Sequence, residues 1–378
     1  MLFEFQNTST KYSENLKRHK LKQLDVTILL KELLRIGKNS NNYQAVSMKP
    51  LQKTPKLARD YIESGSDAEH TLKHNLTYFD SISIIPRIFC NNSYAPVPQC
   101  QIFNRPVNFI GIAPFASQAT IHPNGELETA KAAQALGMVM ILSTYSTIQM
   151  EVVKAYVDRL WLQLYIFDDF DMTLDLVRRA ELIGVEALVI TVDRPLLGKR
   201  RCNITNKYSL PPHLRYANFD KEIKSSSDRQ GLQIVTNGDM PMKSVTWDIV
   251  SKLREITKMK IILKGIMTVA DIHLAVDYNI DAIYISNHGG RQLDDVPHAL
   301  QILKQIKMKS KIPIFVDGGF RTGADVFKAK QFGADMVFLG RIVSYALENG
   351  SEAIIKSMVD VQEEFDFCKT IADTSSKL

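Results

Sequence analysis

Cysteine is scarce in this chain, with four residues, Cys90, Cys100, Cys202 and Cys368, among 378. They stand far apart without metal-ligand spacing, and so few in so long a chain make no disulfide framework. A reducing compartment and no metal centre are expected. Long apolar runs are also missing, since none approaches the roughly eighteen residues that suggest a membrane span. The opening MLFEFQNTSTKYSE carries acids early and lacks the apolar core of a secretory leader. No low-complexity tract is present. Hydrophobic content of 45% and charged content of 23% describe a soluble globular protein.

A surplus of positive charge is absent from most of the chain. Residues 1 to 60 hold 12 of the 47 Lys and Arg but only 5 of the 41 Asp and Glu, which leaves 35 against 36 for the rest. A neutral body without a basic stripe argues against nucleic acid as the main partner. Within residues 1 to 50, Val26, Leu29, Leu30, Leu33 and Leu34 match the i, i+3, i+4 template, and Gly37 supplies a stop. A basic helical extension follows, read as a solvated cap rather than a membrane or partner contact. The chain ends in Ser376, Lys377 and Leu378, a tripeptide that an import receptor reads as a peroxisomal address when it forms the natural C-terminus.

From residue 106 the pattern turns rhythmic. Apolar runs fall at 107 to 113, 138 to 142, 160 to 166, 187 to 192, 260 to 263, 282 to 285, 313 to 316 and 336 to 339, and helical segments lie between most of them. One such segment, DMTLDLVRRAELIG, puts Leu176, Val177, Ala180 and Ile183 on one face and stops at Gly184. Runs apolar throughout suit parallel strands covered on both sides. Eight β/α repeats call for an α/β fold of the (β/α)8 TIM-barrel type with an N-terminal helical extension, although an open doubly wound sheet has a similar rhythm. Three parts are expected: the extension at 1 to 50, the barrel at 51 to 365 and a tail at 366 to 378. The insert from Arg201 to Lys243, rich in Ser, Pro and Asn, reads as a lid or binding loop without a helix of its own.

In such a barrel, polar groups at the C-terminal strand ends converge on one face. Here the second strand ends in Ser143 and Tyr145, the third carries Gln163 and Tyr165, and the fourth ends in Thr191 and Asp193. Lys264 closes the fifth, Ser286 and His288 the sixth, Asp317 to Arg321 the seventh, and Gly340 with Arg341 the eighth. A satisfied core group or a helix cap explains one such residue, but seven strand ends in succession point to chemistry. Gly318, Gly319 and Phe320 in VDGGF, with Arg321 and Arg341, read as a phosphate cradle after the last two strands. His288 with Asp193 reads as a general base and the carboxylate that steadies it. Arg291, Arg200 and Tyr61 suit a substrate carboxylate, which a guanidinium fork binds in bidentate fashion. Arg200 alone could equally belong to a solvated basic run, LLGKRRC.

These residues resemble the FMN-dependent L-2-hydroxy acid oxidases and dehydrogenases of the glycolate oxidase type. SNHGGRQLD is close to the family's SNHGxRQLD, and DYIESG, IAPFAS, QLY, TVDRPLLGKR, LKG, VDGGFRTGADVFKA and FLGR follow the family order. The likeness runs from about residue 50 to residue 365. It implies FMN as cofactor, a small 2-hydroxy acid as substrate, and oxygen as the acceptor that yields hydrogen peroxide. The alternative is a dehydrogenase such as an L-lactate dehydrogenase, passing electrons to a carrier or quinone.

Carried over by residue, the resemblance implies that His288 accepts the substrate proton and Asp193 steadies the imidazolium. Tyr165 bonds the 2-hydroxyl, and Arg291, Arg200 and Tyr61 hold the carboxylate. Lys264 sits by the flavin. Pro114, Phe115 and the Ala116 backbone, with Ser143, Gln163, Thr191, Ser286 and Asp317, hold the ring and ribityl chain. Gly318, Gly319, Phe320, Arg321, Gly340 and Arg341 take the phosphate. Phe115 and Tyr145 depart from the Thr and Trp of glycolate oxidases, so a substrate larger than glycolate is expected. A homo-tetramer is expected by analogy with the family.

Overall fold

The computed structural model describes residues 51 to 88, 100 to 219, 246 to 306 and 312 to 372. The N-terminal extension, the Ser-Lys-Leu end and the second half of the insert lie outside the described residues. Ten strands occur among those described: β1 (Cys100–Ile102), β2 (Arg105–Val107), β3 (Ile110–Ile112), β4 (Met140–Leu142), β5 (Leu160–Leu164), β6 (Ala187–Thr191), β7 (Lys260–Ile266), β8 (Ala282–Ile285), β9 (Ile314–Val316) and β10 (Met336–Leu339). Strands β3 to β10 close into one parallel barrel in chain order, with β10 returning to pair with β3. The closed (β/α)8 reading holds and the open sheet does not.

Burial explains the closure. Strands β4, β5, β6 and β8 are buried at every position, the pattern expected when side chains meet either the barrel interior or the helical ring. Inside, Trp161, Tyr284, Phe315 and Phe338 make an aromatic plug, with the Trp161 ring 5.6 Å from Phe315 and 5.7 Å from Phe338. These rings fill the barrel interior beneath the polar strand ends, and Phe338 also lines the cavity above them.

One expected strand, 107 to 113, divides. The Asn108 side chain accepts from Ile110 N at 3.0 Å, a local bond that turns the chain between β2 and β3. The antiparallel β1/β2 hairpin then brings Phe103 to within 5.8 Å of Trp161, near the first residue of β5, and covers the barrel's N-terminal end. Strand β7 runs longer than expected and includes Lys264. Its register shifts between Lys264 and Ile266, where Gly265 adopts φ +109 and a Cβ would lie 2.6 Å from the Asp193 Cβ. The missing side chain lets the acid after β6 pack against β7.

The helix after β5 runs Phe170–Leu182 with Leu176, Val177 and Ala180 buried. The insert does carry a helix, the short Arg201–Asn206, a correction to the expectation of none. The last helix, Ser351–Ala372, passes through the boundary drawn at residue 365, and Phe365 on it is 1% exposed. The packed body therefore reaches Ala372.

Because Trp161 is fully buried and centred in the plug, replacing it with Ala is expected to cost about 3 to 5 kcal/mol. Thermal unfolding of Trp161→Ala checks this, and a loss under 1 kcal/mol would mean the barrel floor relaxes freely.

Candidate active site

A cavity of about 610 Å³ opens at the C-terminal ends of the strands, within the range of cofactor sites. The residues selected from the sequence line it, with two exceptions. Asp193 and Ser286 stand behind the lining and hold residues that are part of it. His288 Nδ1 lies 2.9 Å from Asp193 Oδ1, and Lys264 Nζ donates to Ser286 Oγ at 2.8 Å.

The His288 geometry is set by its own loop. Its φ of +57 is left-handed, a conformation that costs a non-glycine residue about 1 to 2 kcal/mol. The Ser286 hydroxyl accepts from His288 N at 3.0 Å, and the rest of the loop is tied down from outside. Asn287 and Asn75 exchange amide bonds at 2.7 and 2.9 Å, while Asp294 accepts from the backbone N–H of Ala68, His70 and Thr71. Those N–H groups open the helix His70–Thr77, so the acid of QLDD caps a helix that in turn anchors the imidazole loop. With Asp193 accepting from Nδ1–H, neutral His288 presents the Nε2 lone pair to the cavity.

Charge states follow from burial and neighbours. Burial pushes the His288 pKa down, Asp193 pushes it back, and Lys264 and Arg200 lower it again; the net is below the ordinary 6.5. The base is therefore neutral and ready at neutral pH. Burial raises the Asp193 carboxyl, but His288 and Lys264 beside it outweigh that, so its pKa lies below the ordinary value and the acid stays ionised. For Lys264 burial opposes the charge, and Asp317 and Asp193 restore it and more. Lys264 Nζ lies 3.4 Å from Asp317 Oδ2.

Across the mouth, Gln163 links three strand ends. Its Oε1 accepts from Ser143 Oγ and Thr144 N, and its Nε2 donates to Thr191 Oγ1 at 3.0 Å. Arg291 Nη1 donates to the carbonyls of Tyr61 and Ser64, its guanidinium lies 4.8 Å over the Tyr61 ring, and Arg200 Nε donates to Arg291 O. These two arginines are adjacent and partly buried. Burial lowers both pKa values, that of Arg200 to about 9 with Arg291 adding to the effect. Such a pair is stabilised by an incoming anion.

The last two loops bring a second pair of arginines to the cavity. Burial and Arg321 lower Arg341 to about 10, and burial lowers Arg321. Thr322 and Asp325 form a capping box on the helix Gly323–Gln331, and Asp325 also accepts from Arg321 N at 3.1 Å, which shapes the turn. At Gly319, φ is +83 and a Cβ would fall 1.8 Å from Asn75 O, so only glycine fits. Arg341 has a task the sequence did not suggest: it donates to the carbonyls of Ile62, Ser64 and Gly289, clamping the pre-barrel segment to the His288 loop.

The profile of the FMN-dependent dehydrogenase family matches residues 51–367. The chain belongs to this family. Among curated proteins it is similar to glycolate oxidase 3 of Oryza sativa subsp. indica, 37% identical over 342 residues that span 86% of this chain and 90% of that one. It is also similar to glycolate oxidase of Spinacia oleracea, 36% identical over 345 residues, 89% of this chain and 92% of that one. Among solved structures it resembles mandelate oxidase with (S)-2-phenylpropionate, with TM-score 0.78, 34% identity, and coverage of 86% and 92%. Mandelate oxidase with benzoyl-formic acid matches at TM-score 0.77 and 33% identity, over 91% of this chain and 93% of that one.

FMN is the cofactor of the family, and the cavity suits it. Asp317 Oδ1 is buried with no hydrogen-bond partner among the described residues, as a ribityl hydroxyl would require. Arg321 and Arg341, both partly buried and lining the cavity, suit a phosphate, and the Gly318–Gly319 turn lets backbone approach it.

Among the lining residues that escaped the sequence reading are Arg194, Tyr208 and Tyr216. The tyrosines come from the insert, where no strand rhythm points at a site. Arg194 lies inside the quoted TVDRPLLGKR, beside Asp193, so the signal was present but carried no independent spacing.

Asp193→Asn tests the pair. Since Asp193 holds the imidazole pKa up, its loss should move the acid limb of kcat/KM to lower pH while the plateau falls by about 10²-fold or more. An unchanged pH profile would show that Asp193 does not act on His288.

Proposed function

We propose that the protein is an FMN-dependent (S)-2-hydroxy-acid oxidase. The observation that carries the reading is His288, held at 2.9 Å by Asp193, in one cavity with the Arg200 and Arg291 pair. Arg200, Arg291 and Tyr61 bind the carboxylate of the hydroxy acid, and Tyr165 bonds its 2-hydroxyl. His288 Nε2 takes up the substrate proton, and Asp193 stabilises the imidazolium that results. Phe115 and Tyr145 border the far end of the substrate. Pro114, Phe115 and Ala116, with Ser143, Gln163 and Thr191, frame the flavin ring, and Lys264 compensates negative charge at its edge. Ser286 positions Lys264, Asp317 serves the ribityl chain, and Gly318 to Arg321 with Gly340 and Arg341 receive the phosphate. Bound FMN supplies the two-electron acceptor that turns the hydroxy acid into the 2-keto acid, with oxygen as final acceptor and hydrogen peroxide as product.

The oxidase names of the similar proteins favour this reading over a dehydrogenase feeding a carrier or quinone. A peroxide-forming enzyme suits a peroxisome, and the Ser376-Lys377-Leu378 end fits an import receptor if it is the natural terminus. Homo-tetramer assembly is proposed by family analogy alone.

Anaerobic mixing with a panel of L-2-hydroxy acids should bleach the flavin, and air should restore its colour with release of peroxide. Flavin that stays bleached in air until a dye acceptor is added would favour the dehydrogenase. In His288→Gln, FMN should stay bound while reduction slows well beyond tenfold, given the roughly 10² to 10⁴ typical of general-base catalysis. Undiminished turnover would remove His288 from the role.

A further inference from the structure

One hydroxyl in the barrel core has no part in the reaction above. Tyr284 lies within β8, fully buried, and its ring packs into the aromatic plug 5.1 Å from Phe338. Such packing needs no oxygen, and a buried phenol has to find a partner. Here the partner is Asp317, whose Oδ2 accepts from Tyr284 Oη at 3.0 Å.

A second contact involves the same side chain. The pairing of β7 with β8 sets Tyr284 directly opposite Lys264, and the Lys264 ammonium lies 5.2 Å from the centre of the Tyr284 ring. One core residue therefore touches both the cation and the acid that meet at 3.4 Å, and all three are buried. Burial and the Asp317 charge push the phenol well above its ordinary pKa, so it stays protonated and remains a donor. The Asp317 carboxylate is thereby divided. Oδ2 takes the phenol and faces Lys264, whereas Oδ1, buried with no partner among the described residues, is left for a ribityl hydroxyl. A carboxylate that accepts a hydrogen bond on Oδ2 draws less on the lysine beside it, which leaves more of the Lys264 charge for the flavin edge.

We propose that Tyr284 is a positioning residue for the cofactor: from the barrel core it holds Asp317, shields Lys264 from that carboxylate, and so raises the reduction potential of bound FMN. The inference rests on the oxidase reading for the placing of FMN against Lys264 and Asp317, and deepens it to what tunes the flavin. Tyr284 touches neither substrate nor reacting atoms in this scheme. Its effect passes through Asp317 and Lys264, which no pattern of strand ends would reveal, because the residue sits one layer below the cavity.

The test is the midpoint potential of FMN bound to the full-length protein, read by equilibration with a reference dye in the absence of any hydroxy acid. Tyr284→Phe keeps the ring beside Lys264 and the packing of the plug. At a fixed dye potential its ratio of oxidised to reduced flavin is expected to rise about three- to tenfold, the size one hydrogen bond allows, which is a fall of about 15 to 30 mV for a two-electron couple. Fluorotyrosine in place of Tyr284, a stronger donor of nearly the same size, should move the potential the opposite way, and it decides the matter even if the Phe variant does not hold FMN. In an Asp317→Asn background, Tyr284→Phe should have little further effect, because the phenol acts through that carboxylate. A potential unchanged by both replacements would overturn the proposal and make the phenol a satisfied core group. The oxidase reading would survive that result as long as hydroxy acids still bleach the flavin. An undiminished shift in the Asp317→Asn background would also overturn it, since the effect would not pass through Asp317. If the unaltered protein took up no FMN, the oxidase reading would fall and this inference with it.

Discussion

The structure turns on a single hydrogen bond between two loops of different strands, His288 Nδ1 to Asp193 Oδ1 at 2.9 Å. Both groups are largely withdrawn from water, and each stabilises the other there. The carboxylate stays charged because the imidazole and Lys264 face it, and the imidazole keeps one tautomer because the carboxylate accepts from it. Much of the surrounding architecture maintains that contact. The missing side chain at Gly265 lets Asp193 approach β7, and the left-handed backbone of His288 is held by Ser286, by the Asn287–Asn75 exchange and by the Asp294 cap.

A second constraint is electrostatic. The barrel mouth partly buries several guanidinium groups, and loss of water weakens their charged forms, as the values of about 9 for Arg200 and about 10 for Arg341 express. Such a site is incomplete by itself. It gains stability from any anion that enters, which couples cofactor and substrate binding to the integrity of the rim. Arg341 shows how tightly the two are joined, because the group suited to a phosphate also fastens the pre-barrel segment and the His288 loop.

Most of the barrel was legible from the chain, for a physical reason. Strands buried on both faces must be apolar at every position, so LWLQL and ALVIT declare themselves without context. The exception at 107 to 113 is instructive, since a single Asn108 side-chain bond to Ile110 N outweighs an apolar run. The helix Arg201–Asn206 was missed because a one-and-a-half-turn segment in a polar insert has no periodicity to read. Site residues at strand ends were legible because the fold's geometry gathers strand ends. Arg194, Tyr208 and Tyr216 were not, because they reach the cavity from loops whose paths depend on packing.

By itself the sequence determined the repeat of strands and helices, the residue types at each strand end and the match to a flavin-binding family, since periodicity and composition act locally. Tertiary structure alone decided which of those residues meet. It placed Asp193 behind His288 rather than in the cavity, gave Arg341 a clamping role, and set Arg194 against Tyr165. Those outcomes depend on burial and on distances between strands remote in the chain, and no local pattern of residues encodes them.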